Sequence, residues 1–282
     1  MNNVRIKARG KINLLLDVIG RRENGYHDIV TIMQSVKLSD YVTVTKNDSG
    51  TISLKTDFDD VVKPEDNIAY KALKLMKEEF SLKCGFDAVI EKHIPIAGGM
   101  GGGSTDAAAI IKAVNNLCEL NLSNEKLSEL GLKLGADVPF CIFGNTALAG
   151  GVGEEIQEIK GLKDVKLAIV NPCVSVSTKK VYELVDIKCK LATIDEKSAV
   201  KAIADKKLKE YPKVFKNIMQ PVTTEICPKI EEIIKKLKDL GAVHAMMSGS
   251  GPTCFGIFDR DITDDEIKKH FKDCFAVVTE PI

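Results

Sequence analysis

The densest set of residues able to do chemistry is the run Pro95-Ile96-Ala97-Gly98-Gly99-Met100-Gly101-Gly102-Gly103-Ser104-Thr105-Asp106-Ala107-Ala108. Five glycines in six positions let the backbone turn sharply and bring several N–H groups to one anion. The helix expected immediately after adds its positive N-terminal end, so the run reads as a phosphate cradle. It is not a Walker A loop, because no Lys precedes Ser104-Thr105. Nor is it a dinucleotide fingerprint, since Ser104 stands where the third glycine belongs. Because it leads into a helix, it also differs from the protein-kinase glycine loop, which lies between strands. The alternative is an irregular turn capped by Ser104.

Four further groups carry polar chemistry. Lys11 and Asn13 alternate with Ile12 and Leu14, which puts both on one face of a strand, able to reach one ligand. Asp137, in Leu134-Gly135-Ala136-Asp137-Val138-Pro139, stands two residues before a proline able to open a helix. It is either a helix cap or a catalytic base. Gly25-Tyr26-His27 places a ring and an imidazole at a turn, and Ser248-Gly249-Ser250-Gly251-Pro252 lies between two expected strands.

The elements that must position these groups follow from periodicity. Val4, Ile6, Ala8, Ile12, Leu14, Leu16 and Val18 occupy even positions, which predicts a half-buried strand, bent at Gly10. A second strand is expected over 29–36, a hairpin of 41–45 with 51–55 around residues 47–50, and a strand over 86–90. Helical spacing covers 67–80, 104–120 and 124–134, the last stopped by Gly135. The glycines at 150, 151 and 153 and the polar run to Lys163 mark a boundary, dividing the chain into domains 1–160 and 161–282. Beyond it come strands 165–170, 243–247, 253–258 and 275–279, and helices near 179–184, 195–206, 228–240 and 264–271. Strands and helices without strict alternation give an α+β class.

Composition narrows the function. The 282 residues hold 44% apolar and 28% charged side chains, enough for two modest cores and against disorder. Lys plus Arg and Asp plus Glu are 40 each, for a net charge of +0, and Trp is absent. Neither a nucleic-acid coat nor a polybasic membrane binder has that balance. No targeting segment or spanning run is evident, so a cytoplasmic protein is expected. The eight cysteines form no CxxC pair and read as small buried hydrophobes; the four histidines have no zinc-ligand spacing.

Together, the glycine run, Lys11-Ile12-Asn13-Leu14 and Ser248 to Pro252 resemble the three motifs of the small-molecule kinases that include galactokinase, homoserine kinase, mevalonate kinase and phosphomevalonate kinase. The resemblance runs over about residues 7–258. Gly25-Tyr26-His27 and Gly135-Ala136-Asp137-Val138-Pro139 are similar to the branch that phosphorylates a cytidine diphosphate-linked polyol in isoprenoid precursor synthesis. The chain departs from the family at Gly10, where Ala is usual, and at Thr105-Asp106, where Ser-Asn or Ser-Asp is commoner.

The resemblance implies an N-terminal domain like ribosomal protein S5 domain 2, a ferredoxin-like C-terminal domain and an active site in the cleft between them. It implies Asp137 as base, Lys11 as its cationic partner and Asn13 as a substrate contact. ATP would lie along Pro95 to Thr105, with Asn67 and Lys92 bordering adenine and Mg²⁺ on the phosphates. The cytidine would meet Tyr26, His27, Thr178 and Tyr182. A small-molecule partner, no nucleic acid or membrane, and a monomer or weak homodimer are expected. A mevalonate- or homoserine-type kinase, or a catalytically silent sensor, are the alternatives.

Overall fold

The computed structural model describes residues 2–57, 64–189 and 195–282. Its first half runs β1 (Asn3–Arg21), β2 (His27–Asn47), β3 (Ile52–Thr56), α1 (Ile68–Glu79), β4 (Gly85–Glu91), α2 (Gly102–Leu117), α3 (Asn124–Leu132), α4 (Val138–Phe143), β5 (Thr146–Gly150) and β6 (Glu155–Glu158). There follow β7 (Lys166–Asn171), α5 (Thr178–Lys188), α6 (Glu196–Ala204), α7 (Tyr211–Val214), α8 (Met219–Ile226), α9 (Lys229–Asp239), β8 (His244–Met247), β9 (Cys254–Phe258), α10 (Asp264–His270) and β10 (Phe275–Thr279). The class is α+β, as expected.

These elements form two compact units, each built from several chain segments. The first is Met1–Gly10, Leu38–Ile94 and Gly101–Gly144; the second is Lys11–Lys37, Pro95–Met100 and Asn145–Ile282. In the first unit, β4 runs antiparallel to β2, from Tyr41↔Glu91 to Asn47↔Gly85, and parallel to β3. The expected hairpin of 41–45 with 51–55 is therefore absent: β4 lies between those strands. Residues 47–50 do turn the chain, but the turn leads away from β2, and α1 supplies the crossover that a parallel β3–β4 pair requires. Gly85 permits the approach, because a Cβ there would stand 2.1 Å from the Thr51 carbonyl oxygen. Asn67 caps α1 by accepting from the Ala69 N–H at 2.9 Å. Val42, Phe86 and Ile90 from the strands pack with Leu73, Met76, Ile110 and Val114 from α1 and α2.

In the second unit, residues 31–34 of β2 pair antiparallel with β5, and β5 with β6. A separate antiparallel sheet has the order β10-β7-β9-β8. The amphipathic α9 buries Ile230, Ile233, Ile234 and Leu237 in the core of this unit, together with Val170, Val181 and Phe258.

The half-buried pattern of β1 holds only for its first half. From Lys11 to Val18 every residue is buried, because both strand faces are covered there, and Leu16 and Val18 join the second core. The strand over 29–36 extends to the full β2 and absorbs 41–45. Among the cysteines, Cys227 and Cys254 are buried as expected, but Cys173 is exposed. It sits at φ 57 just beyond β7, where its N–H donates to Asn171 Oδ1.

Candidate active site

The second unit brings three of the sequence motifs into one hydrogen-bonded assembly. Lys11 and Asn13 are each 3% exposed, and the Lys11 ammonium donates to Asn13 Oδ1 at 2.8 Å. Asn13 Nδ2 in turn donates to Thr31 Oγ1 at 2.8 Å, and that hydroxyl donates to the Leu15 carbonyl at 2.6 Å. The amide is thus oriented, and with it the ammonium. The backbone N–H of Asn13 donates to Ser248 Oγ at 3.2 Å, and the Ser248 hydroxyl donates to the Gly99 carbonyl at 3.0 Å. One serine therefore ties the Lys11 strand to the glycine loop.

The loop is held by its carbonyls. Gly98 O accepts from Thr253 N–H at 3.2 Å, Gly99 O from Ser248, and Met100 O from Lys11 N–H at 3.0 Å. In a trans peptide the C=O and the following N–H point in opposite directions. Fixing three successive carbonyls consequently turns the N–H groups of Gly99, Met100 and Gly101 the other way, which is the requirement of an anion cradle. Gly98 and Gly99 are dictated by close approach. A Cβ on Gly98 would lie 2.6 Å from Thr253 Oγ1, and one on Gly99, at φ +76, would lie 2.2 Å from the Ser248 carbonyl oxygen. Ala97 shares the left-handed region at φ 50, and Ile96 is 45% exposed. Pro95 opens the segment.

In the first unit, Gly101 at φ 67 is the N-cap of α2, and Thr105 N–H closes the first turn on Gly101 O at 2.8 Å. Gly102, Gly103 and Ser104 form that turn, so the helix begins two residues earlier than its periodicity predicts. Thr105 is buried and Ser104 half-buried. Lys92 is committed: its ammonium donates to Asp40 at 2.5 Å and Asp106 at 2.6 Å. Burial alone would lower the Lys92 pKa, but Asp106 and Asp40 reverse this and hold it above the ordinary lysine value. Burial pushes Asp106 up to about 7, against the pull of Lys92 and with the help of Asp40. Asp40 also accepts from the N–H groups of His93 and Ile94, fixing the end of β4. Asp137 occupies the N-cap position of α4, with Pro139 in the first turn as expected, yet its carboxylate makes no capping hydrogen bond.

Elsewhere in the second unit, His27 and Tyr182 are stacked, ring centroids 4.7 Å apart and planes 19° from parallel. His27 Nε2 lies 2.7 Å from Asp186 Oδ1. Tyr26 is 60% exposed. Thr178, at the start of α5, shares a hydrogen bond of 2.8 Å with Ser250 Oγ, joining the helix of Tyr182 to the Ser248–Pro252 turn. Asp40, Asp186, Asn171 and Thr253 were not singled out by the sequence. Their signal is a polar residue beside strand or helix apolar positions, common enough to pass unnoticed.

The family model of the GHMP kinases N terminal domain matches residues 67–145, and that of the GHMP kinases C terminal matches 198–277. The chain belongs to the GHMP kinases, and with that family it is an ATP-using phosphotransferase. A relative from Clostridioides difficile (strain 630), 42% identical over 98% of this chain and 95% of its own length, is named 4-diphosphocytidyl-2-C-methyl-D-erythritol kinase. A crystal structure of 4-(cytidine 5'-diphospho)-2C-methyl-D-erythritol kinase matches with a TM-score of 0.80 and 28% identity, over 98% of this chain and 99% of that one. A homoserine kinase from Cytophaga hutchinsonii has the same fold, with a TM-score of 0.76 at 18% identity over 100% and 98% of the two chains. No helix among the described residues is long and apolar enough to cross a membrane.

Proposed function

We propose that this chain transfers the γ-phosphoryl group of ATP to a hydroxyl of 4-diphosphocytidyl-2-C-methyl-D-erythritol, in the non-mevalonate route to isoprenoid precursors. The observation that carries the reading is the 42% identity over nearly the full length to a relative of that name. Lys11, Asn13, the glycine loop and Asp137 are all present. Asp137 is the base: it takes the proton of the attacking hydroxyl as the new O–P bond forms and the bond to the ADP oxygen breaks. Its carboxylate sits at the N-terminal end of α4, where the helix dipole favours the ionised form a base needs. Lys11, its ammonium aimed by Asn13, offsets the charge on the transferring group. Asn13 contacts substrate through the same anchored amide.

The N–H groups of Gly99, Met100 and Gly101 and the first turn of α2 bind the triphosphate along Pro95 to Thr105. Asn67 and Lys92 border the adenine. Among the described residues no three His, Cys, Asp or Glu side chains converge on a metal position. The half-buried Ser104 hydroxyl fits a Mg²⁺ that arrives with the nucleotide and keeps most of its water and phosphate ligands. Bound there, Mg²⁺ would neutralise phosphate charge. Tyr26, His27, Thr178 and Tyr182 receive the cytidine.

The functional division falls at 1–160 and 161–282, with nucleotide handling in the former. The protein works in the cytoplasm as a monomer or weak homodimer, without nucleic acid. Incubation with γ-labelled ATP and the cytidine-linked polyol tests the reading: label appears in the polyol product with the wild-type chain and is nearly lost with Asp137→Asn. Absence of labelled product from folded wild-type protein would overturn it.

A further inference from the structure

The helix α5 presents two side chains to His27. Tyr182 and Asp186 stand four residues apart, so they share one face of that helix. Tyr182 lies flat against the imidazole, at 4.7 Å and 19°, and fixes the plane of the ring. Asp186 Oδ1 meets Nε2 at 2.7 Å and fixes the rotation of the ring within that plane. The bond is largely sheltered, the two side chains being 8% and 26% exposed. The other oxygen of the same carboxylate, Oδ2, faces the Arg21 guanidinium at 3.3 Å.

These contacts decide where the imidazole carries its proton. A carboxylate paired with a guanidinium only accepts, so the proton of the 2.7 Å bond sits on Nε2. In a neutral imidazole the second nitrogen, Nδ1, is then an acceptor. Nδ1 bonds no described residue and is not sealed from solvent, so it is left to a ligand. Cytosine carries a donor at its 4-position, the exocyclic amine, where uracil carries an acceptor oxygen. A ring held as an acceptor pairs with the first and meets the second lone pair to lone pair.

We propose that Asp186 is the positioning residue that sets base specificity. By keeping the His27 proton on Nε2, it offers Nδ1 to the cytosine amine and rejects uracil. The inference rests on the cytidine-linked substrate of the proposed function; Asp186 acts through His27 and touches no reacting atom.

Arg21 dictates what Asp186→Asn should do. A guanidinium has donors only, so it selects the oxygen of the new amide and turns the amide N–H groups toward His27. Nε2 must then accept, the proton passes to Nδ1, and the imidazole presents a donor to the base. That polarity suits uracil.

The test takes two readings on the full chain at about pH 8.5, where a free imidazole is neutral. Proton–nitrogen correlation spectra, with His27 assigned through His27→Gln, should show the Nε2–H tautomer in the wild type and the Nδ1–H tautomer in Asp186→Asn. The ratio of kcat/KM for the cytidine-linked polyol over its uridine-linked analogue should fall from at least about 10-fold in the wild type to about 1 or below in Asp186→Asn. The uridine analogue should gain as the cytidine substrate loses, whereas a merely loosened helix would lower both. Arg21→Gln keeps the carboxylate and should keep both the tautomer and the preference. Retention of the cytidine preference in Asp186→Asn, a parallel fall with both substrates, or an Nδ1–H tautomer in the wild type would overturn the proposal and leave the kinase reading standing. A wild type that phosphorylates neither polyol, or both equally, would overturn the acceptor assignment and the proposal together.

Discussion

The imidazole of His27 lies flat against the phenol ring of Tyr182, centroids 4.7 Å apart, while Asp186 holds the imidazole edge at 2.7 Å. Two residues distant in sequence are thereby locked into one aromatic platform beside the exposed Tyr26. If that platform receives cytosine, each stacking contact is worth about 1–3 kcal/mol. Tyr182→Ala should raise the KM for the cytidine-linked polyol by roughly 5- to 150-fold, and Tyr182→Phe should restore most of it. The KM for ATP should stay nearly constant. Steady-state kinetics with each substrate varied in turn checks this.

Asp137 separates two readings that the sequence left open. Its carboxylate makes no capping hydrogen bond to α4, so Asp137→Asn removes no helix cap. Turnover should fall by about 10²–10⁴-fold while nucleotide affinity is retained. Near-normal turnover in the folded variant would return Asp137 to a structural role.

The glycine loop gives a contrast between neighbours. Gly99→Ala meets both a positive φ and the Ser248 carbonyl at 2.2 Å, so the assembly joining the loop to Lys11 should be disrupted and Tm should fall. Gly101→Ala faces the φ of 67 at the N-cap, a strain of about 1–2 kcal/mol. It should weaken ATP binding by calorimetry with only a modest change in Tm.

His244 makes stability depend on pH. Its pKa in the fold is about 4 against an ordinary 6.5, because burial disfavours the charged form. The unfolded chain therefore binds a proton between these values that the folded chain does not. The contribution is complete above 6.5, declines as pH falls, and is fully lost below about 4. The gap is worth about 3 kcal/mol in total, of which about 2 kcal/mol is lost at pH 5. Urea unfolding at pH 8 and pH 5 should show this loss in the wild type, with a smaller pH difference in His244→Gln.

Legibility in the sequence followed the range of the interactions. Reading 67–80 as a helix came within a residue of α1, because the Asn67 cap and the apolar spacing are local. The register of β3 was misread, because a turn signal at 47–50 says nothing about a later strand entering between its neighbours. The helices α7 and α8 passed unread, since Pro212 and Pro221 interrupt their pattern. In the candidate site, Lys11, Asn13 and the glycines were legible as types at fixed spacing. That Ser248 joins them, and that Asp40 anchors Lys92, depends on long-range packing that no local pattern encodes.

The central claim is the identity of the phosphoryl acceptor, and the most direct measurement is kcat/KM for ATP-dependent phosphorylation of the cytidine-linked polyol, its uridine-linked analogue, mevalonate and homoserine under one set of conditions. The uridine ring donates at N3 where cytosine accepts, leaving polar groups of a cytosine-matched site unpaired. The account predicts that the cytidine-linked polyol exceeds the uridine analogue by at least about 10-fold, with mevalonate and homoserine near background. Equal use of both nucleotide-linked polyols, or preference for mevalonate or homoserine, would contradict it.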